Sequence, residues 1–206
     1  MGYKTVKGSA EASFIEKKSE FIGYIRHTST EQEALDFISE IRAKHRKATH
    51  NCYAYILREN NISRHSDDGE PGGTAGVPIY EVLRKEGLTD VTCVVTRYFG
   101  GILLGAGGLV RAYTEGAKIA VDKAEILNME RADKLILTLA YTLYGKIGRV
   151  LSAYDVRTES EDFGADVKIT LFIRETDTES FKAELIDLCN GSIIVEKTDN
   201  LEYNFS

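Results

Sequence analysis

Between positions 94 and 113 the chain reads VVTRYFGGILLGAGGLVRAY, and five of the nine residues from 100 to 108 are glycine. Where such a run leads into a helix, its free backbone N–H groups and the positive end of the helix dipole favour an anion. Glycine also lets the backbone come close to a ligand. That makes Gly100, Gly101, Gly105, Gly107 and Gly108 candidate ligand contacts; close packing of a helix on a sheet would use the same residues. The run is not a Walker A loop, because no Gly-Lys-Ser/Thr follows, and Val110 stands where the third small residue of a dinucleotide fingerprint belongs. Arg97 and Arg111 sit at its two edges on otherwise apolar stretches. Each could clamp an oxyanion or an RNA phosphate in fork geometry, or pair with a nearby carboxylate.

Three further groups could do chemistry. The stretch SDDGEPGGTAG (66–76) supplies Asp67, Asp68 and Glu70, with Thr74 in the same run and His65 beside it. These carboxylates suit Mg²⁺ or acid–base work, although the Asp-Gly and Pro-Gly content also describes a plain turn; the spacing is not that of an EF-hand. His50 and Cys52 lie two apart in an apparent strand and so share a face, either as a nucleophile pair or as a histidine beside a small buried thiol. Arg42, Lys44, His45, Arg46 and Lys47 form a basic cluster, fit to offset a helix C-terminus or to touch RNA phosphates. No metal-ligand set and no cofactor is specified.

The elements that must position these groups are legible in outline. Residues 10–16 and 20–27 alternate apolar and polar about Lys17-Lys18-Ser19, as in a hairpin. Thr30 and Glu33 form a capping box opening a helix with the stripe Ala34, Phe37, Ile38 and Ile41. Residues 51–57 and 91–99 read as strands, 79–86 as a short helix, and Leu109, Tyr113, Ala117 and Val121 mark the buried face of another. From 132 onward the order is strand (134–140), helix (143–154), hairpin (155–160 and 166–173 about Asp162-Phe163-Gly164), helix (179–189) and strand (192–197). That βαββαβ order is ferredoxin-like. The spacing therefore predicts an α+β protein with domains at 1–127 and 132–206.

Composition excludes several classes. With 206 residues, 43% hydrophobic and 28% charged, the chain has the make-up of a globular protein, without an apolar membrane span or a signal-peptide core. Three widely spaced cysteines argue for the reducing cytoplasm and against a disulfide partner. Residues 1–127 carry 17 basic and 17 acidic side chains, so the net charge of −6 resides in the remainder. Such a chain does not bind polyanions by bulk attraction, and any RNA contact must be local.

HNCYAY (50–55), SDDGEPGGTAG and the glycine-rich run, with KSEFI at 18–22, together resemble the YigZ/IMPACT family, strongly over 1–127. The resemblance implies a left-handed βαβ fold like the second domain of ribosomal protein S-five, followed by a domain similar to domain V of elongation factor G. It also implies a non-enzymatic, translation-linked protein contacting RNA, the ribosome or a ribosome-associated partner. The eukaryotic member restrains a starvation-sensing kinase with the help of an additional RWD domain, which this chain does not show. A small-ligand protein or enzyme, with a phosphate on the glycine loop and Mg²⁺ on the carboxylates, is the alternative.

Overall fold

The computed structural model describes residues 2–206. Its strands are β1 (Tyr3–Val6), β2 (Ser9–Glu16), β3 (Ser19–His27), β4 (His50–Leu57), β5 (Ile62–Ser66), β6 (Val91–Tyr98), β7 (Ile126–Leu139), β8 (Arg157–Phe163), β9 (Val167–Arg174) and β10 (Ile193–Asn204). The helices are α1 (Glu31–Lys44), α2 (Gly76–Lys85), α3 (Ala106–Lys123), α4 (Tyr141–Ala153) and α5 (Thr178–Leu188). The fold is mixed α+β, and the chain divides into two compact units, Tyr3–Leu127 and one built on Asn128–Ser206.

In the first unit five strands form an antiparallel sheet in the order β2-β3-β6-β4-β5. β6 lies at its centre and is buried on both faces, which accounts for its β-branched run, broken only by Cys93. Val91, Cys93 and Val95 face α2 and α3 in one core, with Phe21, Cys52 and Ala54 from the neighbouring strands. Val94, with Tyr24 and Tyr55, faces α1 in the other. The α1 capping box is present: Glu33 N donates to Thr30 Oγ1 at 3.2 Å, and Thr30 N to Glu33 Oε2 at 3.4 Å. Its stripe of Ala34, Phe37, Ile38 and Ile41 is buried as the spacing predicts.

The line taken by α3 depends on a glycine pair. A Cβ on Gly23 of β3 would stand 1.9 Å from the Gly116 carbonyl oxygen, and one on Gly116 would stand 2.7 Å from Val95 Cγ1. Backbone therefore lies on backbone where α3 crosses the sheet. This contact sets the helix axis and with it the place where the first turn of α3 lands.

The second unit has the order β10-β7-β9-β8, all antiparallel, with α4 and α5 closing a core of Leu135, Leu137, Ile169, Leu171, Ile147 and Phe181. This is the ferredoxin-like βαββαβ arrangement. Several boundaries differ from those read in the sequence. β7 begins at 126 rather than 134, because backbone pairing with β10 (Glu130 with Tyr203, Met129 with Asn204) carries the strand through residues of mixed charge. The hairpin turn falls after Phe163, where Gly164 N donates to the Asp166 carbonyl at 3.2 Å, so β8 runs three residues past its expected end at 160. α3 starts three residues before Leu109. β5 has no counterpart in the reading: it is an edge strand with one apolar residue, formed because Asn60 and Asn61 adopt positive φ and turn the chain back.

Gly23→Ala is expected to destabilise the protein by about 3 kcal/mol or more, since neither backbone at the crossing has room to yield. Gly148→Ala, where a Cβ on α4 meets nothing within 4 Å, should instead stabilise by about 0.5–1 kcal/mol. Urea unfolding curves of the two variants check the opposite signs.

Candidate functional site

The central sheet brings the candidate residues together. Arg97 on β6 is in register with Phe21 on β3 and His50 on β4, so the three side chains share the face that carries α2 and α3. Beyond them the chain turns at Gly100. A Cβ there would stand 2.0 Å from the Lys18 carbonyl oxygen, so only glycine lets the loop pass the β2–β3 turn. Gly100 N donates to Ser19 Oγ at 3.2 Å. The loop ends at Gly105, the N-cap of α3, which has φ 71° and no capping side chain. Gly107 and Gly108 belong to the first turn of the helix.

Arg97 and Glu70 are both buried, and Arg97 Nη1 donates to Glu70 Oε1 at 2.7 Å. The same oxygen accepts from the hydroxyl of fully buried Tyr113 at 2.7 Å. The Arg97 guanidinium lies between the rings of Phe21 and Phe99, at 5.4 and 5.3 Å from their centroids. Its Nη2 reaches Ser19 Oγ at 3.5 Å, while its Nε is buried with no hydrogen-bond partner among the described residues. Among the described residues Glu70 Oε2 meets no donor at hydrogen-bond distance, and His50 Nε2 lies 3.8 Å from it. His50 Nδ1 donates to the Asp68 carbonyl at 2.8 Å, which places the ring proton on Nδ1. In the neutral ring Nε2 is left as an acceptor facing Glu70.

These groups form the floor of a pocket of about 360 Å³. Phe99, Leu103, Leu104 and Leu109 supply its apolar wall, and Gly105 and Ala106 bring the first turn of α3 to its edge. Leu103 is 83% exposed at the rim, with Phe99 and Ile102 also exposed.

The other two loop carboxylates do not reach this floor. Asp67 Oδ1 accepts from Ala75 N and Gly76 N at 2.9 and 2.8 Å, and Oδ2 from Gly73 N at 2.8 Å. It therefore caps α2, whose own N-cap residue Ala75 has no side chain to do so. Burial alone would raise the Asp67 carboxyl, but these three N–H groups hold it below the usual carboxylate value. Asp68 accepts from Asn51 N at 2.7 Å and from Arg42 at 2.7 Å, pinning the loop to β4 and α1. Thr74 donates to the Pro71 carbonyl at 2.6 Å and is a turn residue. Shared Mg²⁺ coordination by Asp67, Asp68 and Glu70 is thus not what the geometry provides, and no group of three or more potential ligands is present among the described residues.

Cys52 does not pair with His50. It is buried, donates to the Asp67 carbonyl at 2.9 Å, and burial pushes its thiol well above the ordinary range, so it is no nucleophile. Arg111 is exposed and borders a separate hollow with Phe14, Lys17 and Glu115. In the basic cluster, Arg42 is paired with Asp68 and Lys44 with Glu11 at 3.0 Å, while Arg46 and Lys47 are exposed. His45 is buried between the hydroxyls of Tyr24 and Tyr98, and burial, with Lys44 beside it, lowers its pKa. Tyr113 and Phe99 were not singled out by the motifs; the signal for Tyr113 was a tyrosine where a core stripe needs only a phenylalanine.

The molecule is thus a two-unit α+β protein whose first unit carries a glycine-loop pocket over a buried ion pair. Residues 17–121 match the Impact N-terminal domain, and residues 137–192 match a domain of unknown function. The chain is 40% identical over 190 residues to the IMPACT family member YvyE of Bacillus subtilis (strain 168), covering 92% of this chain and 88% of that protein. It is 35% identical over 180 residues to the IMPACT family member YigZ of Escherichia coli (strain K12), covering 86% and 88%. A solved structure described as a hypothetical protein superposes with a TM-score of 0.61 at 31% identity, over 96% of this chain and 98% of that one. The chain belongs to the IMPACT family.

Two predictions follow from the charges. Arg97→Met strands Glu70 as a buried unpaired carboxylate and should cost about 3–5 kcal/mol, while adding Glu70→Gln recovers part of that loss in a double-mutant cycle. Asp67 has a lowered folded pKa, so the stability it contributes is full above the usual value of 3.8 and is lost as pH falls through the folded value. Asp67→Asn should therefore lower stability at neutral pH and flatten the acid limb of the stability curve, as read by thermal melts below about pH 4.

Proposed function

We propose that this protein is a non-enzymatic, translation-linked binding protein that contacts RNA, the ribosome or a ribosome-associated partner through the pocket and glycine loop of its first unit. One observation carries the proposal: exposed apolar side chains, Phe99 and Leu103, with exposed Ile102 beside them in the chain, border a pocket whose buried floor charges compensate each other. The link to translation rests on what the resemblance of the motifs to the YigZ/IMPACT family implies. Three cations that could have gripped phosphate, Arg42, Lys44 and Arg97, already have carboxylate partners. Of the basic residues in the motifs, Arg46, Lys47 and Arg111 are exposed, carry no ion pair among the described residues, and are free for a local phosphate contact. Recognition then rests on apolar and hydrogen-bonding contact, with charge as a minor contribution. Three free thiols suit a cytoplasmic protein, and no helix among the described residues is long and apolar enough to cross a membrane.

The convergence of His50, Glu70 and Arg97 in one pocket supports a second reading, a small-ligand protein. In that reading Glu70 acts without Asp67 and Asp68, which are engaged in holding their own loop.

Co-sedimentation of the purified protein with ribosomes and total RNA across a salt series separates the two. The expected result is binding with a shallow salt dependence, reduced about tenfold or more by Leu103→Asp. Lys47→Ala should lower the log–log slope by no more than about one. Absence of binding at every salt concentration sinks the translation-linked reading and favours the small ligand.

A further inference from the structure

The pocket floor has a specific chemical deficit. Glu70 Oε1 is filled by Arg97 and Tyr113, and His50 Nδ1 is spent on the Asp68 carbonyl. The remaining atoms of each pair, Glu70 Oε2 and His50 Nε2, face each other at 3.8 Å, and among the described residues neither accepts a hydrogen bond from a protein donor. Both are acceptors when the imidazole is neutral, and both belong to side chains held in place from behind. One nitrogen set about 2.9 Å from each can donate an N–H to both, each N–H lying roughly 20° off the line to its acceptor. Both atoms open to the pocket, so a matching donor there exchanges water for a fixed partner, whereas the one buried side-chain polar atom without a partner among the described residues is Arg97 Nε.

Charge decides what kind of nitrogen this is. Arg97 already neutralises Glu70, and the first turn of α3 adds a partial positive charge at the pocket edge. An ammonium or guanidinium would therefore enter a site with no net negative charge to offset its desolvation. A neutral –NH2 group does not meet that penalty. The remaining wall is apolar, with the Phe99 ring and the Leu104 and Leu109 side chains, and a volume of about 360 Å³ is in the range for a small flat ligand. The uncapped N–H groups of the α3 first turn lie where a ring nitrogen or an attached phosphate would be accepted.

We infer that this pocket binds an aromatic heterocycle bearing an exocyclic amino group, the chemistry of an adenine or cytosine base, with the amino nitrogen between Glu70 Oε2 and His50 Nε2. The inference deepens the proposed function and rests on it: an unstacked base seated here would give RNA contact without a large phosphate footprint. A free nucleoside offers the same chemistry.

Calorimetric titration of the full chain with adenosine, purine riboside (the same body without the amino group) and N6,N6-dimethyladenosine (the amino hydrogens replaced) tests it. Adenosine should bind at least about tenfold more tightly than either analogue. His50→Ala should bring adenosine down to their level. A short single-stranded oligoadenylate run alongside distinguishes the sources: tighter binding per site than adenosine assigns a base on a strand, equal or weaker binding a free nucleoside. Equal binding of all three nucleosides, or no binding up to their solubility, overturns the inference. If ribosome co-sedimentation persists in that case and His50→Ala leaves it unchanged, the translation-linked reading survives; if it is also absent, both fall.

Discussion

A buried ion pair governs the first unit. Arg97 and Glu70 come from parts of the chain 27 residues apart and are both withdrawn from water. Neither would tolerate burial alone, because desolvating a single charge costs several kcal/mol, whereas a paired and hydrogen-bonded charge recovers much of that. Tyr113 and Ser19 add the further hydrogen bonds. The pair therefore ties together the central strand, the acidic loop, the core helix and the β2–β3 turn, and it explains why a loop rich in turn residues has a single geometry.

The loop is prepared for that pair by its other carboxylates. Asp67 satisfies the N-terminus of α2, and Asp68 satisfies Asn51 N and Arg42 while its carbonyl holds the His50 ring. Both aspartates act inward, leaving Glu70 as the one carboxylate of the three at the pocket. The glycines on the other side work by absence of bulk. Gly23 and Gly116 bring α3 onto the sheet, and Gly100 lets the chain pass the hairpin turn. The result is a pocket with a rigid polar floor and an exposed apolar rim, a combination suited to recognition.

The two units differ in how they use polar residues. In the first, charges are drawn into the site; in the second, they lie mostly on solvated faces around an aliphatic core. Asp133 is the exception. Burial would raise its carboxyl, but Lys197 at 2.6 Å and Asn200 at 2.6 Å hold it low, tying β7 to β10. That tie lies in the stretch where β7 outruns its hydrophobic pattern.

Much of this was written in the chain by itself. Period-two alternation, the Thr30–Glu33 box and the stripe of α3 are local patterns, and local physics makes the elements they announce. The βαββαβ order of the second unit follows from their sequence. Long, specific motifs sufficed to mark the family and to bring Arg97, Glu70, His50 and the glycines under suspicion. What one dimension did not carry was pairing across distance. Arg97 and Arg111 look alike in sequence, yet the sheet register buries one against Glu70 while helix phase leaves the other in water. Asp67, Asp68 and Glu70 are near neighbours in one run, yet backbone N–H groups claim the first, a backbone amide and an arginine the second, and only the third faces the pocket. β5 and the first half of β7 have little hydrophobic signal because backbone partners, not burial, hold them. Side-chain type set which groups were available; the register of β6 and the crossing of α3 decided which of them meet.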